Sequence, residues 1–177
     1  MNIVTVGDSW ASAVEGDTKR DAGWPEILGL PSNLRLALRG SRATQWGQDF
    51  PSPGRRGHLT LAVEAIAKNN PDAVVVSLLG NDAREMLNNR NFTVEAIQGD
   101  VLSLRRVVET VYGPPVIVML YTDPLNSFLS RIAVRMLNSA IRQACSDLPV
   151  AFADTNLVLK PEHFVGGIFI PHAQGMC

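Results

Sequence analysis

A serine, a glycine and an asparagine each follow one of three apolar runs of the sequence. The serine hydroxyl, the backbone N–H groups and the asparagine amide could together support nucleophilic chemistry. Ser9 follows the run from Ile3 to Val6, Gly40 ends "NLRLALRG", and Asn81 follows "DAVVVSLLG". A serine hydroxyl can attack an electrophilic carbon, while backbone N–H groups and an amide side chain can donate to the oxyanion that develops. At a strand-to-helix turn, Ser9 offers its own backbone N–H as well, with a favourable helix dipole. The sequence thus predicts one nucleophile, Ser9, and three oxyanion donors, on Ser9, Gly40 and Asn81.

Five apolar runs that read as strands alternate with longer segments that read as helices. The strands are predicted at Ile3 to Val6, Leu34 to Leu38, "DAVVVSLLGND", "GPPVIVMLYTDP" and "PVAFADT". Apolar residues recur at helical spacing in "LTLAVEAIAKNNP", from Thr93 to Val111, and in "NSFLSRIAVRMLNSAIRQACSD". Such alternation is typical of a parallel sheet with helices on both faces. We expect a single α/β domain over residues 1–177, a three-layer α/β/α sandwich with a five-stranded parallel sheet.

The predicted sheet explains why residues so far apart in the chain could meet. In an open α/β sheet, ligands bind beyond the carboxyl ends of the strands. Ser9, Gly40 and Asn81 each follow a predicted strand, so all three are expected at that one edge.

Three short blocks resemble those of the GDSL-type, or SGNH, hydrolases, which are serine esterases and lipases. "VGDSWA" is similar to the first block of that family, "LALRGSRA" to the second and "LLGNDA" to the third, in family order and each behind its own strand. The resemblance implies a flavodoxin-like SGNH hydrolase fold and a small-molecule ester substrate. It also implies that Ser9 is the nucleophile and that Ser9 N–H, Gly40 N–H and the Asn81 amide form the oxyanion hole.

The fourth block of that family, an Asp two residues before the catalytic His, is altered in this chain. The C-terminal stretch reads "EHFVGGIFIPHAQGMC". Taking His172 as the base puts Phe169 at the Asp position, and the other register puts Gly166 there. We interpret His172 as the candidate base, with His163 as a rival.

The missing acid leaves two functions open. Without it the imidazole loses help with its tautomer and orientation, and Glu162, Asp154 or a backbone carbonyl could substitute in part. One hypothesis is a serine esterase for small acyl or acetyl esters, with weakened activity. The alternative is a catalytically impaired binding module of the same fold, for an acylated or carbohydrate ligand.

Several conspicuous residues have structural interpretations that stand beside the functional ones. Asp8 and Asp82 are predicted to be turn and cap residues, since carboxylates accept hydrogen bonds from helix N-terminal amides. Trp10 and Trp46 are predicted to pack in the core. His58 lies in a stretch rich in Gly, Pro and Arg, where solvent exposure is expected.

The composition narrows the range of partners. Sixteen basic and 17 acidic residues leave a formal net charge of −1, which argues against a nucleic-acid binder. The apolar runs are too short to span a membrane, and the N-terminus has no basic region followed by an apolar segment, so we expect a cytoplasmic chain. Cys145 and Cys177 lack metal-ligand spacing, and Cys145 is expected to be a buried thiol. No metal or organic cofactor is implied.

Overall fold

Five short strands form a parallel sheet in the computed structural model, which describes residues 1–8, 29–31, 34–38, 40–49, 57–89, 93–121 and 128–157. The strands are β1 (Ile3–Gly7), β2 (Arg35–Ala37), β3 (Ala73–Ser77), β4 (Val116–Leu120) and β5 (Val150–Asp154). Their spatial order is β2-β1-β3-β4-β5, and every neighbouring pair is parallel. The predicted five-stranded parallel sheet of an α/β fold is confirmed.

The strand order reverses between β1 and β3, which makes this pair the switch point of the sheet. The chain places β2 on one side of β1 and continues with β3, β4 and β5 on the other. At such a point the connections leave in opposite directions and open a crevice beyond the carboxyl ends of the strands. Gly7 at the end of β1 is in register with Ala37 of β2 and with Ser77 of β3, so three strands end together there.

The described helices pack against one face of the sheet, and the second helix layer of the predicted three-layer sandwich lies outside the described residues. The described helices are α1 (Ala43–Gly47), α2 (His58–Asn69), α3 (Gly80–Asn89), α4 (Val94–Thr110) and α5 (Phe128–Ala144), and a 3-10 turn follows β5 at Thr155–Leu157. Alternate residues of β1, β3 and β4 pack against these helices in one large apolar cluster. The other face carries a smaller cluster in which Leu30 packs with Ile3 and Val75. Both faces of β1 and β3 are buried, as their continuous apolar runs predict.

The long helices bury most of the described apolar residues that recur at helical spacing. Leu104, Val107 and Val108 of α4 are fully buried, and Cys145 beyond α5 is a buried thiol, as expected. Ile132 of α5 is instead 40% exposed. It lies two residues before the buried Val134, about 200° around the helix, and therefore faces away from the core.

Two helices were missing from the sequence prediction. The first, α1, has only five residues, too few to show a helical period. The second, α3, reads "GNDAREMLNN" and is largely polar, so its composition resembles a loop. The prediction for His58 was also wrong, because this residue is half-buried, begins α2 and lies with its ring 5.5 Å from that of Trp46.

A buried asparagine fixes the carboxyl end of β4. The Asn138 side chain of α5 accepts a hydrogen bond from the Tyr121 N–H at 2.9 Å and donates to the Tyr121 carbonyl at 2.6 Å. The same carbonyl accepts from Asn156 Nδ2 at 3.3 Å. Asn138 thus replaces the strand partner that the backbone lacks at this point.

Replacing this asparagine should destabilise the fold. We expect Asn138→Ala to lower the free energy of unfolding by about 2 kcal/mol, because it leaves the buried Tyr121 N–H without its acceptor. Urea denaturation measures the change. Thr110→Ala, which removes an exposed 2.7 Å bond from Oγ1 to the Arg106 carbonyl, is the control and should stay within about 0.5 kcal/mol. Equal effects of the two substitutions would contradict this role for Asn138.

Candidate functional site

The described part of the chain contains two of the four predicted site residues. Gly40 and Asn81 are described, whereas Ser9 and His172 lie outside the described residues. Trp10, His163, Glu162, Gly166 and Phe169 also lie outside them. The geometry of the site is therefore given by the ends of β1, β2 and β3 and by the helices that follow.

The end of β1 brings Asp8 to the centre of the carboxyl edge. The Asp8 N–H donates to the Ser77 carbonyl at 3.0 Å, which extends the pairing of β1 with β3 by one residue. Asp8 is completely buried. The residue that follows it in the sequence is Ser9.

Gly40 lies in an exposed turn that requires a glycine conformation. Its φ is +71°, in the left-handed region, and no heavy atom lies within 4 Å of the position a Cβ would occupy. The Ser41 N–H donates to the Leu38 carbonyl at 3.1 Å and closes the turn. Beneath it, the buried Trp46 donates from Nε1 to Ser41 Oγ at 2.9 Å, which confirms the packing role predicted for Trp46.

Asn81 joins this turn to the end of β3. Its Nδ2 donates to the Ser41 carbonyl at 2.9 Å across 40 residues of sequence. The carbonyl can only accept, so the bond identifies the amide nitrogen and fixes the plane of the side chain. One N–H of the amide is used in this contact. The structure therefore ties Asn81 to the residue that follows Gly40, and the role of both as oxyanion donors stays a prediction.

Leu79, just before this asparagine, has a backbone conformation that leucine rarely adopts. Its φ is +93°, and its side chain is completely buried. Such a conformation costs on the order of 1–3 kcal/mol and persists only where the surrounding structure enforces it. Its carbonyl accepts from the Ala83 N–H at 2.9 Å and so begins α3. Sequence reasoning missed this feature, because a leucine gives no signal of a positive φ.

Gly80 packs against two buried polar side chains. A Cβ there would lie 3.1 Å from Asp8 Oδ2 and 3.2 Å from Tyr121 Cε1, closer than nearly all real contacts. Burial, followed by the negative charge of Asp8, raises the pKa of Tyr121 well above its usual value. The phenol therefore stays neutral beside the carboxylate. The glycine permits this close approach of β1, α3 and the end of β4.

Asp82 is a helix cap, as predicted, and it caps α1, a helix other than its own. Its two carboxylate oxygens accept from the Ala43 N–H at 3.1 and 3.3 Å. The N-cap residue of α1 is Arg42, whose guanidinium has donors and no acceptor. Asp82 supplies the acceptor that the cap residue itself cannot supply.

Arg42 contacts three acidic side chains around this cap. Its Nε lies 3.4 Å from Asp82 Oδ1, its Nη1 2.9 Å from Glu85 Oε2 and its Nη2 3.9 Å from Asp100 Oδ2. Burial raises the pKa of Asp82. Burial, the charge of Asp82 and a hydrogen bond to it raise the pKa of Asp100 to about 6. We assign the shared proton to Asp100, because Asp82 already accepts from an N–H and faces the guanidinium.

Asp154, one of the possible substitutes for the missing acid, is engaged in other contacts. Its Oδ2 pairs with Arg142 Nη2 at 3.0 Å, and its Oδ1 accepts from the Asn156 N–H at 3.1 Å. These contacts hold the 3-10 turn after β5. Asp154 thus has a structural role in the described part of the chain.

The described residues give two further results. Among them, no group of three or more His, Cys, Asp or Glu side chains is arranged to hold a metal ion. Within the same ranges, no helix combines the length and apolar character that crossing a membrane requires.

Comparison with solved structures places the fold among esterases. No protein-family model and no curated protein matches the chain. A carbohydrate acetylesterase family member from Sinorhizobium meliloti is 18% identical with a TM-score of 0.63, and the match covers 99% of this chain and 92% of that one. An acetyl xylan esterase variant from Geobacillus stearothermophilus is 15% identical with a TM-score of 0.66, with 99% and 88% covered. A protein assigned to the lipolytic G-D-S-L family, from Desulfitobacterium hafniense, is 14% identical with a TM-score of 0.61, with 99% and 93% covered.

These matches define the class of fold. The chain has the α/β fold of the GDSL and SGNH esterases to which it is similar. At these identities the likeness lies in the fold, because sequence similarity alone produced no match.

The acidic pair should make stability depend on pH. The pKa of Asp100 is about 6 in the folded chain against an ordinary value of 3.8, so the folded chain binds the extra proton. Its stabilisation is full below about pH 4 and is lost as the pH rises through about 6. Allowing for partial solvent screening, we expect this loss to be on the order of 1–2 kcal/mol.

Urea denaturation at about pH 4.5 and about pH 7.5 measures this effect. Asp100→Asn should lose less stability than the parent over that interval, since its amide donates to Asp82 at both pH values. Asp147→Asn, at an exposed carboxylate whose pKa Arg105 lowers, is the control and should follow the parent. An identical pH dependence in the parent and in Asp100→Asn would contradict the assignment.

Proposed function

We propose that this chain is a serine hydrolase acting on small acyl or acetyl esters, in which Ser9 forms an acyl-enzyme. The observation that carries the proposal is the 2.9 Å bond from the Asn81 amide to the Ser41 carbonyl. It joins Asn81, one predicted oxyanion donor, to the turn that contains Gly40, another, at the switch point of the sheet and beside the strand end that Ser9 follows. Ligands of this fold class bind at that position.

The proposed reaction has two halves. In the first, Ser9 Oγ attacks the ester carbonyl while the base takes the hydroxyl proton, and the alcohol leaves with that proton. In the second, water attacks the acyl-serine with the help of the same base, and the carboxylic acid leaves. Both halves pass through a tetrahedral intermediate with a negatively charged oxygen.

The oxyanion hole would combine three donors. They are the Ser9 backbone N–H, the Gly40 backbone N–H and the second N–H of the Asn81 amide. The Ser41 carbonyl holds that amide in place before substrate arrives, and such preorganisation makes a donor effective in the transition state. The exposed turn at Gly40 presents its backbone toward incoming ligand without a side chain in the way.

His172 would be the general base. No acid precedes it at position 169 or 166, where the family places one, and Asp154 is bound to Arg142 and Asn156. A histidine without its acid is a weaker base, so we expect slow turnover. The second candidate function, a binding module with impaired catalysis, is favoured by this same absence.

The substrate class follows from size and from the comparisons. Two of the similar structures are described as acetylesterases, for carbohydrate and for xylan. We therefore propose a small acyl group, with acetyl esters as the first substrates to test.

Labelling with a fluorophosphonate probe tests the nucleophile without knowledge of the substrate. We expect the parent to be labelled and Ser9→Ala to lose the label. Ser146→Ala, at an exposed serine after α5, should retain it. Labelling of Ser9→Ala at the parent rate would show that the activated serine is a different residue.

Asn81→Ala should lower kcat for an activated acetyl ester by about 100-fold, because it removes a donor that acts on the transition state. Asn69→Ala is the matched control, since it also removes an amide bond to a backbone carbonyl, here that of Ala65 at 2.7 Å. An unchanged kcat in Asn81→Ala would exclude this asparagine from the oxyanion hole.

The pH profile tests the base and the missing acid. Ester hydrolysis by the parent should rise with pH through a histidine pKa of about 6.5. His172→Ala should remove most of that rise, and His163→Ala should leave it. Phe169→Asp restores an acid three residues before His172 and should increase kcat. If neither the parent nor Phe169→Asp shows Ser9-dependent turnover, the binding module replaces the esterase.

A further inference from the structure

The two described parts of the proposed oxyanion hole stand on different elements of the chain. Gly40 lies in the turn before α1, and Asn81 lies in the first turn of α3. An oxyanion hole works only when its donors keep a fixed separation. A contact that fixes α1 against α3 therefore has a direct bearing on the site.

Asp82 makes this contact at the residues next to both donors. It follows Asn81 on α3 and accepts from the N–H of Ala43, three residues after Gly40. It also faces Arg42 Nε at 3.4 Å. Asn81, the residue before Asp82, donates to the Ser41 carbonyl. Consecutive residues of α3 therefore contact consecutive residues at the start of α1.

We propose that Asp82 is a positioning residue for the oxyanion hole, and that its contacts with the Ala43 N–H and Arg42, beside the buried Asp100, hold the turn. The inference rests on the proposed function for its effect on catalysis. The structural coupling between the carboxyl pair and the two donors can be measured without it.

The coupling follows from the surroundings of the pair. Asp82 is completely buried and Asp100 is 6% exposed. The charged groups that face them are Arg42 from the N-cap of α1 and Glu85 from α3. With a proton, Asp100 donates to Asp82 and leaves one negative charge against the guanidinium. When that proton is lost, two buried carboxylates repel each other, and the single positive charge of Arg42 is shared between both of them and Glu85.

A displacement of Asp82 affects both Gly40 and Asn81, because each lies within three residues of a residue that Asp82 contacts or adjoins. A displaced Asp82 releases the Ala43 N–H and shifts the start of α1, which continues directly from the Gly40 turn. It also shifts Asn81, its neighbour on α3. Asp100→Asn should mimic the protonated form, because its amide can donate to Asp82 at every pH.

Nuclear magnetic resonance tests the coupling in the intact chain. We expect the Gly40 backbone amide and the Asn81 side-chain amide to shift together with a midpoint near pH 6 in the parent. Both shifts should be absent in Asp100→Asn. Amides of Gly40 and Asn81 that stay constant while the Asp100 carboxyl titrates would overturn the proposal, as would identical titrations in the variant.

Kinetics tests the consequence for the site. Asp82→Ala should lower kcat for an acetyl ester about 10- to 100-fold with KM within about threefold, as expected for loss of an interaction made in the transition state. Asp82→Asn keeps an oxygen that can accept from Ala43 and should recover part of the loss. Asp147→Ala breaks an Arg–Asp pair of 2.6 Å elsewhere and should keep the parent kcat.

The two proposals fail in different ways. Absence of Ser9-dependent turnover in the parent contradicts the esterase, while the amide titration still decides whether the pair controls the turn. Turnover in the parent that is unchanged in Asp82→Ala contradicts the positioning role and leaves the esterase intact. If Asp82→Ala does not fold, the ratio of kcat in Asp100→Asn to kcat in the parent decides: a ratio that stays constant as the pH rises through about 6 contradicts the inference.

Discussion

The parallel pairing of β1 with β3 is the constraint on which the candidate site depends. These strands are neighbours in the sheet although 65 residues separate the end of one from the start of the other. Their register continues one residue past Gly7, where the Asp8 N–H meets the Ser77 carbonyl. The carboxyl ends of β1, β2 and β3 therefore coincide, and the turns that follow them must share one small volume. A Cβ at Gly80 would lie 3.1 Å from Asp8 Oδ2 and 3.2 Å from Tyr121 Cε1, which shows how closely those turns approach.

This edge of the sheet contains polar groups that a core would ordinarily exclude. Asp8, Ser77 and Asp82 are buried there, and each must recover in hydrogen bonds or charge what it loses in hydration. Asp82 does so with the Ala43 N–H and Arg42. Leu79 adds a strained backbone to the same place. The buried polar groups and the strained backbone lower the stability of the fold at this edge, and the apolar cluster under the helices offsets that loss.

The sequence contained enough information for the five-stranded parallel sheet and for the edge at which its strands end. Buried strands such as Ala73–Ser77 have a continuous β-branched run, and the ends of parallel strands must share an edge. The helix α3 was missed because its stability comes from the cap and packing around it and not from an apolar stripe. Contacts between residues on different elements leave no local pattern in the sequence. The pair of Asp82 on α3 with Asp100 on α4 is one such contact. The positive φ of Leu79 is another, since tertiary structure imposes it against the preference of the residue.

The buried indole under the Gly40 turn gives the chain an intrinsic optical reporter. Trp46 is 1% exposed, and its N–H is bonded to the hydroxyl of Ser41, whose carbonyl holds the Asn81 amide. Indole emission is sensitive to the polarity and hydrogen bonding of its surroundings. Any rearrangement of the turn changes the environment of this ring through a single side chain. The residue that fills the core beneath this turn therefore also converts a movement of the turn into a change of fluorescence.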